Sequence, residues 1–203
     1  MPQLIEALSY PFVQRAIAAG VMISLCAALL GVILVLKQYS LIGHGLGDVG
    51  FASTSLAVAL GLPVMAVSIP IVVIAACLIM FWSQRSKTGG DTAIGMVATG
   101  ALSIGVIITA MSSGFNVDVN GYMFGSILAM SREDVIFSVV LSIVILVLFV
   151  VFYNRLFLIT FDENFAKASG IRVGFYQFLI ALLTALTVVM GMRMMGSLLI
   201  SSL

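Results

Sequence analysis

Charged side chains are scarce in this chain: they make up 8% of its 203 residues, where a soluble domain carries about a quarter. A water-soluble globule of this length could not cover its surface with so few polar residues, which excludes a dissolved enzyme, a nucleic-acid binder and a disordered chain. Net charge is nearly absent as well, +1 from nine basic and eight acidic residues. There is no polyanion-binding balance, and charge has meaning only through position. Cysteine is limited to Cys26 and Cys77, both in apolar runs. Their placement excludes a disulfide framework and a metal-type spacing and reads as small buried hydrophobes. No GxxxxGK(S/T) phosphate loop occurs, so nucleotide energy, if used, must be bound by another chain.

What the chain has in abundance is apolar surface, 62% hydrophobic residues at a mean hydropathy of +1.26. It is read as an integral membrane protein, all-α, a polytopic helix bundle forming one transmembrane domain over residues 1–203. A bilayer core about 30 Å thick takes roughly 20 helical residues, and spans are expected at 16–36, 40–61, 64–82, 91–111, 133–153 and 173–192. A seventh apolar run starts near Gly196 and reaches Leu203, too short to cross, so the expectation is a chain cut within its seventh span. The first span is not a cleavable signal peptide, because its apolar stretch is too long and no basic segment precedes it.

Orientation follows from basic residues in short loops. Lys37, Arg85, Lys87, Arg155, Lys167 and Arg172 fall on one face, leaving Arg15, Arg132 and Arg193 on the other with Glu6, Asp118, Glu133 and Asp134. This predicts the N-terminus outside and the first group in the cytoplasm. Residues 112–132 hold a half-length apolar stretch, read either as an outer re-entrant element surrounded by protein or water, or as a surface amphipathic helix. In the inner loop 161–172, Asp162 can cap a short helix with Glu163 in its first turn and Gly170 ending it. Such a helix reads as a docking knob for a partner protein or as a plain connection.

The most informative stretch is SLIGHGLGDVGFASTS, Ser40 to Ser55. An ionised aspartate within a span costs about 2.5 to 3.5 kcal/mol on insertion scales. The only histidine, His44, and Asp48 stand four apart, one turn apart on one helical face. Imidazole and carboxylate form a half-site for zinc, manganese or iron(II), with other ligands from other helices or water. The alternative is a hydrogen bond that fixes helix packing. Gly43, Gly45, Gly47 and Gly50 permit either close backbone approach or a local unwinding of the kind transporters use beside a polar site. The GxGxxG formed by Gly45, Gly47 and Gly50 lacks a preceding strand and is set aside. GLGD at 45–48 also resembles intramembrane aspartyl proteases, but no Tyr-Asp dipeptide supplies the second carboxylate. Met190, Met192, Met194 and Met195 around Arg193 read as adaptable packing more than as copper(I) ligands.

Together these features resemble the permease subunit of the bacterial ABC importers for zinc, manganese and iron(II), relatives of the siderophore and cobalamin permeases (type II importers). The resemblance is carried by Pro11-Phe12, Arg15-Ala16, Gly31 to Leu36, Ser40 to Gly43, Asp91 to Gly95, Met123 to Leu128, Arg132 to Asp134, DENFAKASGI at 162–171, and Gly196 to Ile200. It implies a multi-pass protein of the bacterial plasma membrane, not itself an enzyme, that forms a homodimer in the lipid. Cytoplasmic ATPase subunits and an external metal-binding protein are the implied partners, the metal is cargo, and no permanent cofactor or nucleic acid is involved. Within DENFAKASGI, the resemblance makes Asp162, Glu163, Phe165, Ala166, Ala168 and Gly170 the ATPase-coupling residues. It also implies ion contact at His44 and Asp48, where the family commonly has the same two residue types in the opposite order. An intramembrane protease and a non-transporting structural subunit are the competing readings.

Overall fold

Lipid tails are as apolar as leucine, so helices in a bilayer are held together by close packing more than by transfer out of water. The computed structural model, which describes residues 10–85, 90–111 and 132–196, shows where that packing occurs. All regular structure in these residues is helical: α1 Pro11–Leu36, α2 Ile42–Ala59, α3 Val64–Arg85, α4 Gly90–Met111, α5 Arg132–Phe161, α6 Glu163–Ala168 and α7 Val173–Met195. The expected outer segment at 112–132, apart from Arg132 at the head of α5, and the run beyond Gly196 lie outside the described residues.

Among the described residues, five helices are long and apolar enough to cross a membrane: Val13–Leu36, Val64–Ser83, Gly90–Met111, Val135–Phe161 and Val173–Met194. The second expected span, 40–61, forms as the 18-residue α2 but is not among the five, because His44, Asp48 and the glycines dilute its hydropathy. It tolerates them by lying inside the protein, packed against α4, α3 and α7. α7 is the hub. Apolar on all sides, it has 72% of its span buried and touches α1, α2, α3 and α5. Only 17% of the α4 span is buried, so most of its apolar surface faces outward.

α5 departs from expectation by continuing past residue 153 to Phe161. Arg155, expected in a loop, therefore lies inside the helix. The helix is kept regular there because Leu156 and Ile159 are 0% and 1% exposed against the core, while the Arg155 guanidinium donates to the Tyr176 hydroxyl at 2.6 Å.

α1 starts with proline at its first turn, where a missing N–H costs nothing. It ends where Gln38 adopts φ +60° and the Tyr39 N–H returns to the Leu34 carbonyl at 2.9 Å, reversing the chain into α2. Asp91 holds that reversal by accepting from the Leu41 N–H at 3.1 Å. Gly90 permits the approach, since a Cβ there would stand 2.7 Å from the Tyr39 ring. This end of the bundle gathers Lys37, Lys167 and Arg172, with Arg155 less than two turns inside α5. Four of the six basic residues assigned to one face are thus brought together. Tyr10, the turn at 60–63 and Gly196 occupy the opposite end.

Candidate metal-ion site and coupling segment

α2 and α4 both start at the basic end and run parallel. Their separation is set by small residues: a Cβ on Gly45 would sit 2.5 Å from Ile94 Cγ2, and one on Gly105 would sit 2.9 Å from Ala52 Cα. About one turn further along, the Thr109 hydroxyl donates to the Ser55 hydroxyl oxygen at 3.0 Å. On its other flank α2 meets α7, where a Cβ on Gly50 would overlap Met192. Gly47 is buried within the helix, and Gly43 has nothing near it. The glycines lie in an unbroken helix; close approach accounts for Gly45 and Gly50, and no unwinding occurs in this conformation.

That packing fixes where the polar pair sits. His44 and Asp48 are about 3 and 9 Å along α2 from Ile42 at 1.5 Å per residue, near the basic end and short of the helix centre. The Asp48 side chain is 9% exposed and the His44 side chain 48%, so the carboxylate lies in the protein wall while the imidazole reaches outward. His44 Nε2 and Asp48 Oδ2 are 3.6 Å apart, beyond the range of a hydrogen bond. A tetrahedral ion with Zn–N of about 2.0–2.1 Å and Zn–O of about 2.0–2.2 Å needs a nitrogen-to-oxygen bite of roughly 3.4 Å. The observed spacing is close to that bite. Among the described residues, no group of three or more His, Cys, Asp and Glu gathers for a metal, so the pair supplies two ligands of a larger shell.

The second set of expected residues is also formed. Asp162 caps α6 by accepting from the Phe165 N–H at 2.9 Å, and Gly170 takes φ +77° after it, a conformation that favours glycine. Glu163 receives Lys167 Nζ at 2.7 Å and Gln177 Nε2 at 3.1 Å, tying α6 to α7. Ala166 is fully buried, whereas the Phe165 ring is 57% exposed; Ala168 is exposed. A short capped helix thus presents an exposed phenylalanine from the end of the bundle.

Lys37, five residues before Ile42 in the chain, lies within electrostatic reach of Glu163 and Lys167 of the second set. Burial pushes its ammonium below the ordinary lysine range, Glu163 pulls it back up, and Lys167 pushes it further down. Sequence reasoning used Lys37 for orientation alone; no spacing rule links it to a helix some 130 positions away. Of the methionine cluster, Met190, Met192 and Met194 are buried among apolar neighbours, as packing residues. Cys26 and Cys77 are free thiols.

Residues 9–203 match the ABC 3 transport family. A manganese transport system membrane protein from Halalkalibacterium halodurans is 29% identical over 96% of this chain and 67% of its own length. A high-affinity zinc uptake system membrane protein from Haemophilus influenzae is 30% identical over 93% of this chain and 72% of its own. In solved structures, PsaBC from Streptococcus pneumoniae, in complex with Fab, superposes with a TM-score of 0.81 at 30% identity over 99% of this chain and 73% of that one. The chain thus spans about two thirds to three quarters of these relatives.

Proposed function

Because the chain belongs to the ABC 3 transport family, we propose that it is the permease subunit of an ATP-driven importer of divalent transition metals, zinc, manganese or iron(II). The ion is substrate and passes His44 and Asp48. The observation that carries this reading is the pair itself: a buried carboxylate and an imidazole at 3.6 Å, on a helix that lies mostly buried among its neighbours. Two protein ligands leave the remaining coordination to water or to a second copy, and transport needs contacts weak enough to release the ion. The likeness to a manganese transport and a zinc uptake membrane protein favours this over an intramembrane protease or a non-transporting subunit.

In this reading two copies enclose a central path and an external protein delivers the ion. ATPase subunits engage residues 162–171 in the cytoplasm, with Phe165 inserted as the knob and Glu163 passing the movement to α7 through Gln177. Metal-limited growth tests it. In a host lacking its own zinc, manganese and iron(II) uptake, coexpression with the partner ATPase restores growth on at least one of these metals, and the ATPase copurifies. No rescue on any metal, with both chains present in the membrane, overturns the proposal.

A further inference from the structure

The basic end of the bundle contains a cleft that borders the coupling segment at Ser169 and Gly170 but whose two arginines, Arg155 and Arg172, the transport reading does not use. It opens between α5 and α7, has a volume of about 670 Å³, and is lined by Arg155, Ser169, Gly170, Arg172, Phe175 and Tyr176 among others. Among the described residues, no carboxylate lines it, and neither arginine is in an ion pair. Arg155 is held in place by Tyr176, through the 2.6 Å hydrogen bond and a guanidinium 5.9 Å from the ring centroid. That bond uses one of five guanidinium N–H donors and leaves the others for an anion.

Depth identifies the anion. α5 has 30 residues, about 45 Å at 1.5 Å each, against a hydrocarbon core of about 30 Å. Arg155, six residues before Phe161, lies about 9 Å from the helix end, at the boundary between hydrocarbon and headgroups. Aromatic rings mark the same level: Tyr153, Phe157 and Phe161 follow one another along α5 at 5.9 and 4.4 Å between centroids. All three are about half exposed or more, as is Phe175 on α7. Tyrosine marks the membrane–water interface, and the exposed phenylalanines carry apolar surface from Tyr153 to the helix end. Val150 and Val151, both 68% exposed, continue the surface toward the hydrocarbon.

We propose that this cleft binds the phosphodiester of an anionic phospholipid headgroup, gripped between Arg155 and Arg172, with its acyl chains along the exposed apolar face of α5. The ligand is a lipid of the leaflet at the basic end, and the site is independent of which ion the protein carries. Native mass spectrometry of the purified chain tests it, with phosphatidylglycerol and phosphatidylcholine as probes. Wild-type protein is expected to retain phosphatidylglycerol at least about tenfold more tightly than phosphatidylcholine. The Arg155→Gln/Arg172→Gln variant should lose about thirtyfold in that affinity, roughly fivefold per guanidinium. Arg155→Lys/Arg172→Lys, which keeps both charges, should stay within about fivefold of wild type, and inorganic phosphate or glycerol phosphate should not displace the lipid. Equal retention of the two lipids by wild type overturns the proposal without reference to any variant. Undiminished phosphatidylglycerol binding in the glutamine variant also overturns it, as does displacement by soluble phosphate. So does loss of ATPase copurification with lipid binding intact, which would make the cleft a protein contact.

Discussion

If the α2–α4 separation is set by Gly45, adding one methyl there must be felt at Ile94. An alanine Cβ would stand 2.5 Å from Ile94 Cγ2 and 3.5 Å from its carbonyl oxygen, about 1 Å inside ordinary contact with the methyl. Ile94 is fully buried and β-branched, so its χ1 is fixed in a helix and the methyl has no easy escape. Overpacking of this kind costs about 1–3 kcal/mol. Against it, replacing a mid-helix glycine by alanine contributes about 1 kcal/mol. Gly45→Ala alone should therefore lie between neutral and about 2 kcal/mol destabilising. In an Ile94→Ala background the clashing methyl is gone, and the same change should stabilise by up to about 1 kcal/mol. The coupling energy of the cycle, about 1–3 kcal/mol, is measured by unfolding the four proteins in mixed micelles. Equal effects of Gly45→Ala in both backgrounds would refute the packing argument.

Three further outcomes follow from the basic end. Lys37 binds its proton less tightly folded than unfolded, so stability rises with pH between its lowered folded value and the ordinary value near 10.5; Lys37→Met should remove this gain, read as a pH-dependent difference in thermal midpoint, and a constant difference contradicts it. Asp162→Ala removes the cap on α6 at a local cost of about 1 kcal/mol, expected as about fivefold faster hydrogen exchange at the Phe165 amide; unchanged exchange contradicts it. Phe165→Ala, at a ring already 57% exposed, should leave the thermal midpoint unchanged while lowering ATPase copurification by about tenfold or more; full retention of the ATPase removes Phe165 from the coupling role.

The membrane class and the helix positions were legible because hydropathy over roughly 20 residues is a strong signal. The α6 cap was legible because Asp162, Glu163 and Gly170 act through local backbone rules. Hydropathy misled at Asn154 and Arg155, where polarity suggested a loop. The helix continues there because Leu156, Ile159 and the Tyr176 hydroxyl offer tertiary partners that no window average contains. The His44–Asp48 pair was visible from its spacing, but the burial of Asp48 depends on α2 being enclosed by α3, α4 and α7. The glycine run left packing and unwinding equally open, and only Ile94 and Met192 show which is realised in this conformation. The placement of Lys37 near Glu163 and the α5–α7 cleft are long-range arrangements, invisible to local periodicity.

In the proposed transport cycle a metal ion driven by a partner ATPase passes His44 and Asp48. The most direct measurement is ATP-dependent uptake of radiolabelled zinc and manganese into vesicles containing the purified complex, comparing wild type with His44→Ala and Asp48→Ala. Both variants should keep the ATPase bound and fall to background uptake. Wild-type uptake in both variants would contradict the assignment.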